Sequence, residues 1–477
     1  MSTLGRSSSP AQAARALSLD ALRGLAILMM VMSGEVPERA LPAWMYHAQT
    51  PPPTHHFAPH VAGLTWVDLV FPFFLFAMGA AIPLALARRI EQGISWWRLV
   101  GRVLWRGFLL GFFALYIAHV RPWDISESPT AATWLLALAA FALLFPLLAR
   151  LPSRWPRWLH LAVRAAGWVG VAALLSRLRY PDGSGFSVER SDIIIVLLTN
   201  TMIAGSLLWL VSRDRLLLRL GFMGMLMALR VSSSEGGWVG WLDSHSPLPW
   251  MFQLGYLQDL FIVLPGTIVG DLVLSWMRSG EEEERRSWPC ARLAGLAAVG
   301  PVVLVAMLVC LQARWEWQAA VAAAVLCAVA CWLAARPVTE TEKLLKRLLL
   351  WGTYWLLLGL VFEAYEGGIK KDPATMSYYF VTAGLAIFLL CAFTIAIDLW
   401  RQRRLFGLLI ANGQNPMIAY TAGENFVAPI LAMAGVAGLA ESLTPSPWLG
   451  VLRGAAFTLI VAVAVSGFTR LKVFWRT

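Results

Sequence analysis

The sequence predicts an all-α fold, a polytopic transmembrane helical bundle of about 12–14 spans with both termini cytoplasmic. Composition is the first reason, because 58% of the 477 residues are hydrophobic, 14% are charged and the mean hydropathy is +0.64. A soluble domain of this length needs far more polar surface. The second reason is a succession of apolar runs of about 20 residues, the length of a membrane-spanning helix. The third is the distribution of basic residues among the loops.

The apolar runs follow one another along the whole chain, and each predicts one span. Some of them are short, so the expected number of spans is about 12 to 14. The runs cover residues 18–34, 65–87, 100–119, 131–149, 159–177, 192–212, 215–230, 250–277, 291–312, 317–335, 345–364, 376–399, 406–434 and 447–469.

Arginine and lysine concentrate on alternate loops, and this pattern predicts the orientation. The richest loops carry pairs or triplets such as Arg88/Arg89/Arg98, Arg213/Arg215/Arg219 and Arg401/Arg403/Arg404. Cytoplasmic loops are the basic ones in membrane proteins, so the polar tail 1–17 is expected inside and the loop 35–64 outside. The net charge of +11 follows from this topology, and nucleic-acid binding is not expected.

The whole chain, 1–477, is interpreted as a single integral membrane domain, expected in the bacterial inner membrane. The longer loops between the runs are too short to hold a soluble domain. The five cysteines fall in or beside apolar runs, as buried apolar cysteines do. Neither HExxH nor tight His/Cys spacing is present, so no metal cofactor is expected.

The outer loop 35–64 gathers titratable groups at the mouth of a span, which indicates a site. It carries His47, His55, His56 and His60, and Asp68 begins the following apolar run. A histidine there can act as a base or carry an acyl group, and a carboxylate can orient it. The alternatives are plain loop histidines and, for Asp68, a helix-start residue favoured by the helix dipole.

Two later spans carry polar residues at depth. The eighth contains Asp259 and the run LPGTIVGD, whose Pro-Gly pair predicts an interruption. The thirteenth contains Asn415, Tyr420 and Glu424, and Asn415-Pro416 predicts a broken helix that frees backbone groups to line a cavity. These side chains either bind substrate or join neighbouring helices by hydrogen bonds.

The start of the first span combines an acid with a base. SLDALRGLAIL places Asp20 and Arg23 one turn apart, and Arg102 and Arg106 begin another span on the same side. Arginines in this arrangement could hold the phosphates of a donor such as coenzyme A. The alternative is a positive-inside anchor with an i, i+3 ion pair.

Three segments resemble a known family, the heparan-α-glucosaminide N-acetyltransferase-like transmembrane acyltransferases. They are SLDALRGLAILMMVM, the histidine-containing outer loop and GLTWVDLVFPFFLFAMGAAIPLAL. KKDPATMSYYFVTAGLAIFLL and GQNPMIAY resemble the closing spans of that family, while the middle of the chain matches only loosely through PGTIVGD. Gly34 stands where the animal enzyme has an asparagine, a departure that concerns the acceptor side.

The resemblance implies acetyl-CoA as cytosolic co-substrate and a histidine active site. WMYHA matches the family's active-site stretch best at His47, with His60 and His55 as rivals, and Asp68 carries over directly. Acceptor or oxyanion binding is assigned to the polar residues of the later segments, namely Lys371, Asn415, Tyr420, Glu424 and Asp259.

The combined prediction is a transmembrane acyltransferase that moves an acetyl group to an amino sugar or a sugar hydroxyl on the outer side. The alternative is a solute transporter that uses the intramembrane acids Asp259 and Glu424. The expected partners are the lipid bilayer and a small-molecule or glycan acceptor, with a homodimer as the alternative to a single chain.

Overall fold

The computed structural model describes residues 16–38, 41–233, 237–279 and 288–476, and the described chain is built from α-helices without a β-strand. Most of the tail 1–17 therefore lies outside the described residues. In chain order the helices are α1 (Leu17–Gly34), α2 (Val70–Glu91), α3 (Trp96–Val120), α4 (Pro122–Ile125), α5 (Ala131–Leu148), α6 (Arg157–Arg177), α7 (Ile193–Ser212), α8 (Leu216–Ser233), α9 (Gly237–Ser244), α10 (Leu260–Arg278), α11 (Cys290–Gln312), α12 (Glu316–Leu333), α13 (Glu340–Glu366), α14 (Met376–Phe393), α15 (Gly407–Gln414), α16 (Pro416–Ala422), α17 (Ala428–Met433), α18 (Val436–Leu443) and α19 (Pro447–Arg470).

The helices confirm the predicted class and span count. Within the described ranges, 13 helices are long and apolar enough to cross a membrane, or up to 14 if a bent pair near the end of the chain forms one span. The location of the termini stays a prediction. We call the end of the bundle where α1 begins the inner end and the opposite end the outer end, in line with the predicted orientation.

Helix α14 forms the centre of the bundle. All of its residues are buried, and it packs against α13, α11, α10 and α2. Helices α6, α8 and α12 bury few of their residues and lie at the periphery, where their apolar side chains face the expected lipid. The hydrophobic core is therefore centred on α14 and the helices that pack against it.

Helices α2 and α10 pack backbone against backbone. A Cβ at Gly79 would lie 2.3 Å from the carbonyl oxygen of Val263, and one at Gly266 would lie 2.4 Å from that of Phe76. Small residues permit such close approach between helices in a membrane. Helix α10 continues through Pro265 and Gly266, so the predicted Pro-Gly interruption is wrong: the glycine serves helix contact instead.

The thirteenth apolar run is broken as predicted. Helix α15 ends at Gln414 and α16 begins at Pro416, because a proline lacks the N–H that a continuous helix would need there. A π-helical segment, Gly423–Val427, then leads into α17. Helix α18 turns by 87° from the preceding helix, and its exposed apolar residues suit a membrane interface.

The close contact between α2 and α10 predicts an asymmetric response to a single methyl group. Gly79→Ala should lower the free energy of unfolding by roughly 1–3 kcal/mol, because the added Cβ meets backbone that cannot move aside. Gly101→Ala in α3 is the matched control, since its Cβ would enter open space. Thermal unfolding in detergent measures both; equal melting temperatures would contradict the backbone contact.

Candidate functional site

Asp68 is fixed by the turn that starts the second span. The turn Val67–Leu69 precedes α2 and places the carboxylate inside the protein, where Asp68 is 1% exposed. Its Oδ2 accepts a hydrogen bond from the backbone N–H of Thr65 at 3.0 Å and from that of Ala48 at 3.2 Å. The Thr65 hydroxyl also donates to Asp68 Oδ2, at 3.0 Å, and the N–H of Asp68 returns a hydrogen bond to the backbone oxygen of Thr65 at 3.2 Å. This local geometry explains why GLT and Asp68 occur together in the sequence.

The remaining oxygen of Asp68 holds His47. Nδ1 of His47 lies 2.7 Å from Oδ1 of Asp68, although 21 residues separate them. A carboxylate can only accept, so Nδ1 carries the proton and Nε2 of the neutral ring is unprotonated. The His47 side chain is 39% exposed, whereas that of Asp68 is 2% exposed. The pair therefore consists of a partly exposed imidazole held by a buried carboxylate.

Lys371 lies beside the imidazole. Its Nζ is 3.3 Å from Nδ1 and 3.5 Å from Nε2 of His47. Burial lowers the pKa of Lys371, and the carboxylates of Asp68, Asp372 and Asp259 oppose that shift without cancelling it. The structure thus brings together three predicted site residues from segments more than 300 positions apart.

Gln49 joins the two loops that carry these residues. Its Oε1 accepts from the backbone N–H of Asp372 at 2.8 Å, and its Nε2 donates to the carbonyl of the same residue. Gln49 is 4% exposed, so this amide is an internal clamp. It holds the segment after α13 against the loop of His47.

Two residues of the central bundle complete the surroundings. The hydroxyl of Tyr378, at the start of α14, donates to the backbone oxygen of Asp68 at 2.9 Å. Asp259 is 9% exposed and its charge acts on Lys371, Tyr378 and Tyr379. Asp259 therefore belongs to the same cluster, behind Lys371.

Two other histidines of the loop have different surroundings. The ring of His55 packs edge-on against Tyr46, with 4.5 Å between centroids, and His60 is exposed. Their catalytic roles stay predictions. No group of three or more His, Cys, Asp or Glu residues that could hold a metal is found in the described part of the chain.

A cavity of about 630 Å³ lies among α1, α2, α3 and α7. One end is reached by Val70 and Phe71 of α2, within one turn of Asp68. The other end is the inner one, and its charged lining residues are Asp20, Arg23, Arg88, Arg89, Arg106 and Arg476. Between these ends the wall is apolar. The cavity has the size of a small-molecule site and runs from an arginine-rich mouth to Val70 and Phe71, two and three residues after Asp68, while His47 and Asp68 are not among its lining residues.

The predicted donor-binding residues divide at this mouth. Asp20, Arg23 and Arg106 line it, and Arg23 is held by the carbonyl oxygens of Gly413 at 3.2 Å and Ala77 at 3.1 Å. Arg102 lies one turn nearer the start of α3, is exposed and is not part of the lining. Its predicted binding role therefore has no support from the cavity.

Tyr420 and Glu424 belong to a separate network at the outer end of the cavity. The Tyr420 hydroxyl donates to Asp192 Oδ2 at 2.6 Å, and Arg121 pairs with both Asp192 and Glu424, the latter at 3.0 Å. Burial alone would lower the pKa of Arg121, but the carboxylates of Glu424 and Asp192 raise it above the ordinary value. We call these four residues the outer ion network.

Asn415 has a structural task. It is fully buried, its Nδ2 donates to the carbonyl of Val473 at 2.7 Å, and its Oδ1 accepts from the N–H of Trp475 at 3.4 Å. Both ends of the amide are used within the protein. Contact between Asn415 and substrate stays a prediction. In the structure its amide binds the backbone of Val473 and Trp475.

Sequence reasoning missed the residues that only long-range folding brings to the site. Gln49 stands between His47 and a proline run and belongs to no recognisable motif. Arg89 and Arg476 have the sequence pattern of ordinary basic loop residues. Arg121 and Asp192 flank spans and carried no motif. Their signal, a charged residue at a span boundary, is shared by too many positions to single them out.

Comparison with known proteins places the chain among relatives of one kind. Residues 15–273, more than half of the chain, match the family described as a domain of unknown function, DUF5009. Heparan-alpha-glucosaminide N-acetyltransferase of Homo sapiens is 30% identical over 194 residues, covering 35% of this chain and 27% of the relative. The protein of the same name from Mus musculus is 28% identical over 145 residues, covering 25% and 22%. The chain thus spans about a quarter of the length of these relatives. These matches confirm the family resemblance inferred from the motifs.

The outer ion network predicts that replacing Arg121 lowers the free energy of unfolding more than replacing Glu424. Arg121→Gln should lower the free energy of unfolding by about 3 kcal/mol, the lower end for a broken buried ion pair, because it leaves the buried carboxylate of Asp192 without its cation. Glu424→Gln should cost no more than about 1 kcal/mol, because the Glu424 side chain is 52% exposed. Thermal unfolding in detergent compares them, and a larger loss for Glu424→Gln would contradict this arrangement.

Proposed function

We propose that this chain, which belongs to the DUF5009 family, is a transmembrane acyltransferase. The donor is acetyl-CoA from the cytoplasm, and the acceptor is an amino sugar or a sugar hydroxyl at the outer side of the inner membrane. One observation carries the proposal: the His47–Asp68 pair, at 2.7 Å, stands within a turn of a cavity whose opposite mouth is lined by arginines. The two relatives are named as N-acetyltransferases, which supports the same reaction class.

The cavity suits a donor that enters from the inner side. Along α2, the residues from Arg89 to Val70 rise by about 28 Å at 1.5 Å per residue. This distance is close to the thickness of the hydrocarbon core, about 30 Å. The guanidinium groups can bind the phosphates of coenzyme A, while the apolar wall can accommodate the pantetheine arm. The thioester then points toward the region of Asp68.

The chemical step uses Nε2 of His47. As the acceptor's nitrogen or oxygen attacks the thioester carbonyl carbon, Nε2 takes the proton from that atom. The carbon–sulfur bond then breaks, and the coenzyme A thiolate leaves and takes the proton from the imidazolium. Asp68 stabilises the imidazolium through Nδ1 and keeps the ring oriented.

The same nitrogen serves if the acyl group is carried by the enzyme. Nε2 then attacks the thioester carbon directly, the carbon–sulfur bond breaks, and coenzyme A leaves as the thiolate. In a second step the acceptor attacks the acetyl-imidazole, the bond from the acetyl carbon to Nε2 breaks, and the proton lost by the acceptor balances the one that the thiolate takes up from water. In either sequence a negative charge develops on the carbonyl oxygen. The ammonium of Lys371, 3.5 Å from Nε2, is placed to stabilise it.

The exposure of the two partners supports an acceptor that arrives from outside. The side chain of His47, in the outer loop, is partly exposed, whereas that of Asp68 is buried. A glycan end or an amino sugar can therefore approach Nε2 without entering the bundle. Gln49 keeps Lys371 in place during this approach, because it binds the backbone of the next residue.

The central prediction concerns thiol release from acetyl-CoA in the presence of a panel of amino sugars. His47→Ala should reduce the acceptor-stimulated rate by at least roughly 100-fold, the size of a lost general base. His56→Ala, an exposed histidine of the same loop, is the control and should keep the rate. Full activity in His47→Ala, with loss in His60→Ala or His55→Ala, would transfer the role to a rival histidine. Solute flux into proteoliposomes without thioester consumption would favour the transporter.

The lowered pKa of Lys371 predicts an alkaline limit to activity. The ammonium loses its charge as pH rises through a pKa below the ordinary lysine value, so the rate should fall at pH values where a normal lysine is still charged. Lys371→Arg should move this limb to higher pH, because a guanidinium keeps its proton. Lys370→Arg is the neighbouring control. The pH–rate profiles decide, and an unmoved limb in Lys371→Arg would remove the ammonium from the mechanism.

A further inference from the structure

The segment that follows α19, residues 471–476, folds back onto the bundle. Asn415 binds it from the break between α15 and α16, through the carbonyl of Val473 at 2.7 Å and the N–H of Trp475 at 3.4 Å. Arg476 adds a backbone hydrogen bond to the carbonyl of Leu148 at 2.8 Å. The backbone of the segment is therefore held on one side by the buried side-chain amide of Asn415 and on the other by the backbone of Leu148.

Trp475 anchors the segment in the core. It is 3% exposed, and its ring lies 5.1 Å from that of Phe141 and 5.0 Å from that of Phe145. Aromatic rings at these distances pack favourably beyond their simple burial. Once the indole is inserted, the direction of the following residue is set.

That following residue is Arg476, which reaches the inner mouth of the cavity. Its charge acts on Arg106 together with the charges of Arg89 and Arg23. Asp20 is the one acidic residue among the described residues that line this cavity. A cluster of positive charges at the edge of an apolar cavity produces a positive potential that attracts a polyanion. A thioester group alone is neutral and would need none of them.

We propose that Arg476, presented by the docked segment 471–476, is a phosphate-binding residue for the nucleotide end of the acyl donor. This inference rests on the proposed function and extends it to donor selection. The arginine cluster makes the protein select a phosphate-bearing thioester over a pantetheine thioester with the same acyl group. Asn415 is then a positioning residue, which acts by holding the segment rather than by touching substrate.

The test compares two donors in the same full-length protein. Arg476→Gln should lower kcat/KM for acetyl-CoA about tenfold, the effect of one lost charge-assisted contact. It should leave kcat/KM for S-acetyl-pantetheine unchanged, because that donor has no phosphate. Arg470→Gln is the matched control, since it removes an arginine at the end of α19 that does not line the cavity. An equal loss with both donors would mean a structural role and would overturn the proposal.

Asn415 supplies the second test. Asn415→Ala should reduce the preference for acetyl-CoA in the same direction as Arg476→Gln, and the double variant should be no worse than the more impaired single variant, because both act through one contact. Additive losses would contradict that coupling.

Equilibrium binding of coenzyme A to detergent-purified protein distinguishes failure of the proposed acyltransferase function from failure of the Arg476 proposal. A wild type that does not bind coenzyme A would overturn the proposed function and this inference together. A wild type that binds, with unchanged affinity in Arg476→Gln, would overturn this inference alone.

Discussion

A carboxylate inside an apolar bundle must have its hydrogen-bonding capacity filled, and the burial of Asp68 organises the outer half of this molecule. Two backbone N–H groups bind one oxygen, and the imidazole of His47 binds the other. The hydroxyl of Tyr378 binds the backbone at the same residue. An unsatisfied charge there would be very costly, so the loop, the start of α2 and the start of α14 are held in one arrangement.

Rigidity at this point is supplied by helix packing. Glycines let α2 and α10 approach until backbone touches backbone, and α14 fills the centre. Small-residue contacts are the main means by which helices associate tightly in lipid, where the hydrophobic effect between spans is weak. The position of Asp68 is therefore fixed relative to Asp259 and Lys371, which come from other parts of the chain. The proposed chemistry depends on that rigidity, because a base must stand within hydrogen-bond reach of the reacting proton.

Charge is distributed between two ends that do different work. At the inner end, five arginines and one acid, Asp20, are the charged residues among the described residues that line the cavity mouth, and Asp20 lies 3.7 Å from Arg23. At the outer end, Arg121 is matched by Asp192 and Glu424 within the outer ion network. A network with as many acids as bases stabilises the fold, whereas an excess of positive charge at the mouth of a cavity attracts an anionic ligand. This contrast is why the inner arginines, and not the outer one, are assigned to a donor.

Hydropathy predicts the spans, the distribution of basic loop residues predicts the side of the histidine loop, and Asn415-Pro416 predicts the break between α15 and α16. The residues alone leave three histidines as candidates, and the family resemblance favours His47 with Asp68. Three facts emerge from the packing of the helices alone: Gln49 clamps Asp372, Arg476 lines the cavity and Arg102 does not. Glycine at 266 likewise reads as an interruption until α2 is seen against it. These facts depend on which helix faces which, and in lipid that choice is made by shape and by buried polar partners far apart in sequence, neither of which hydropathy records.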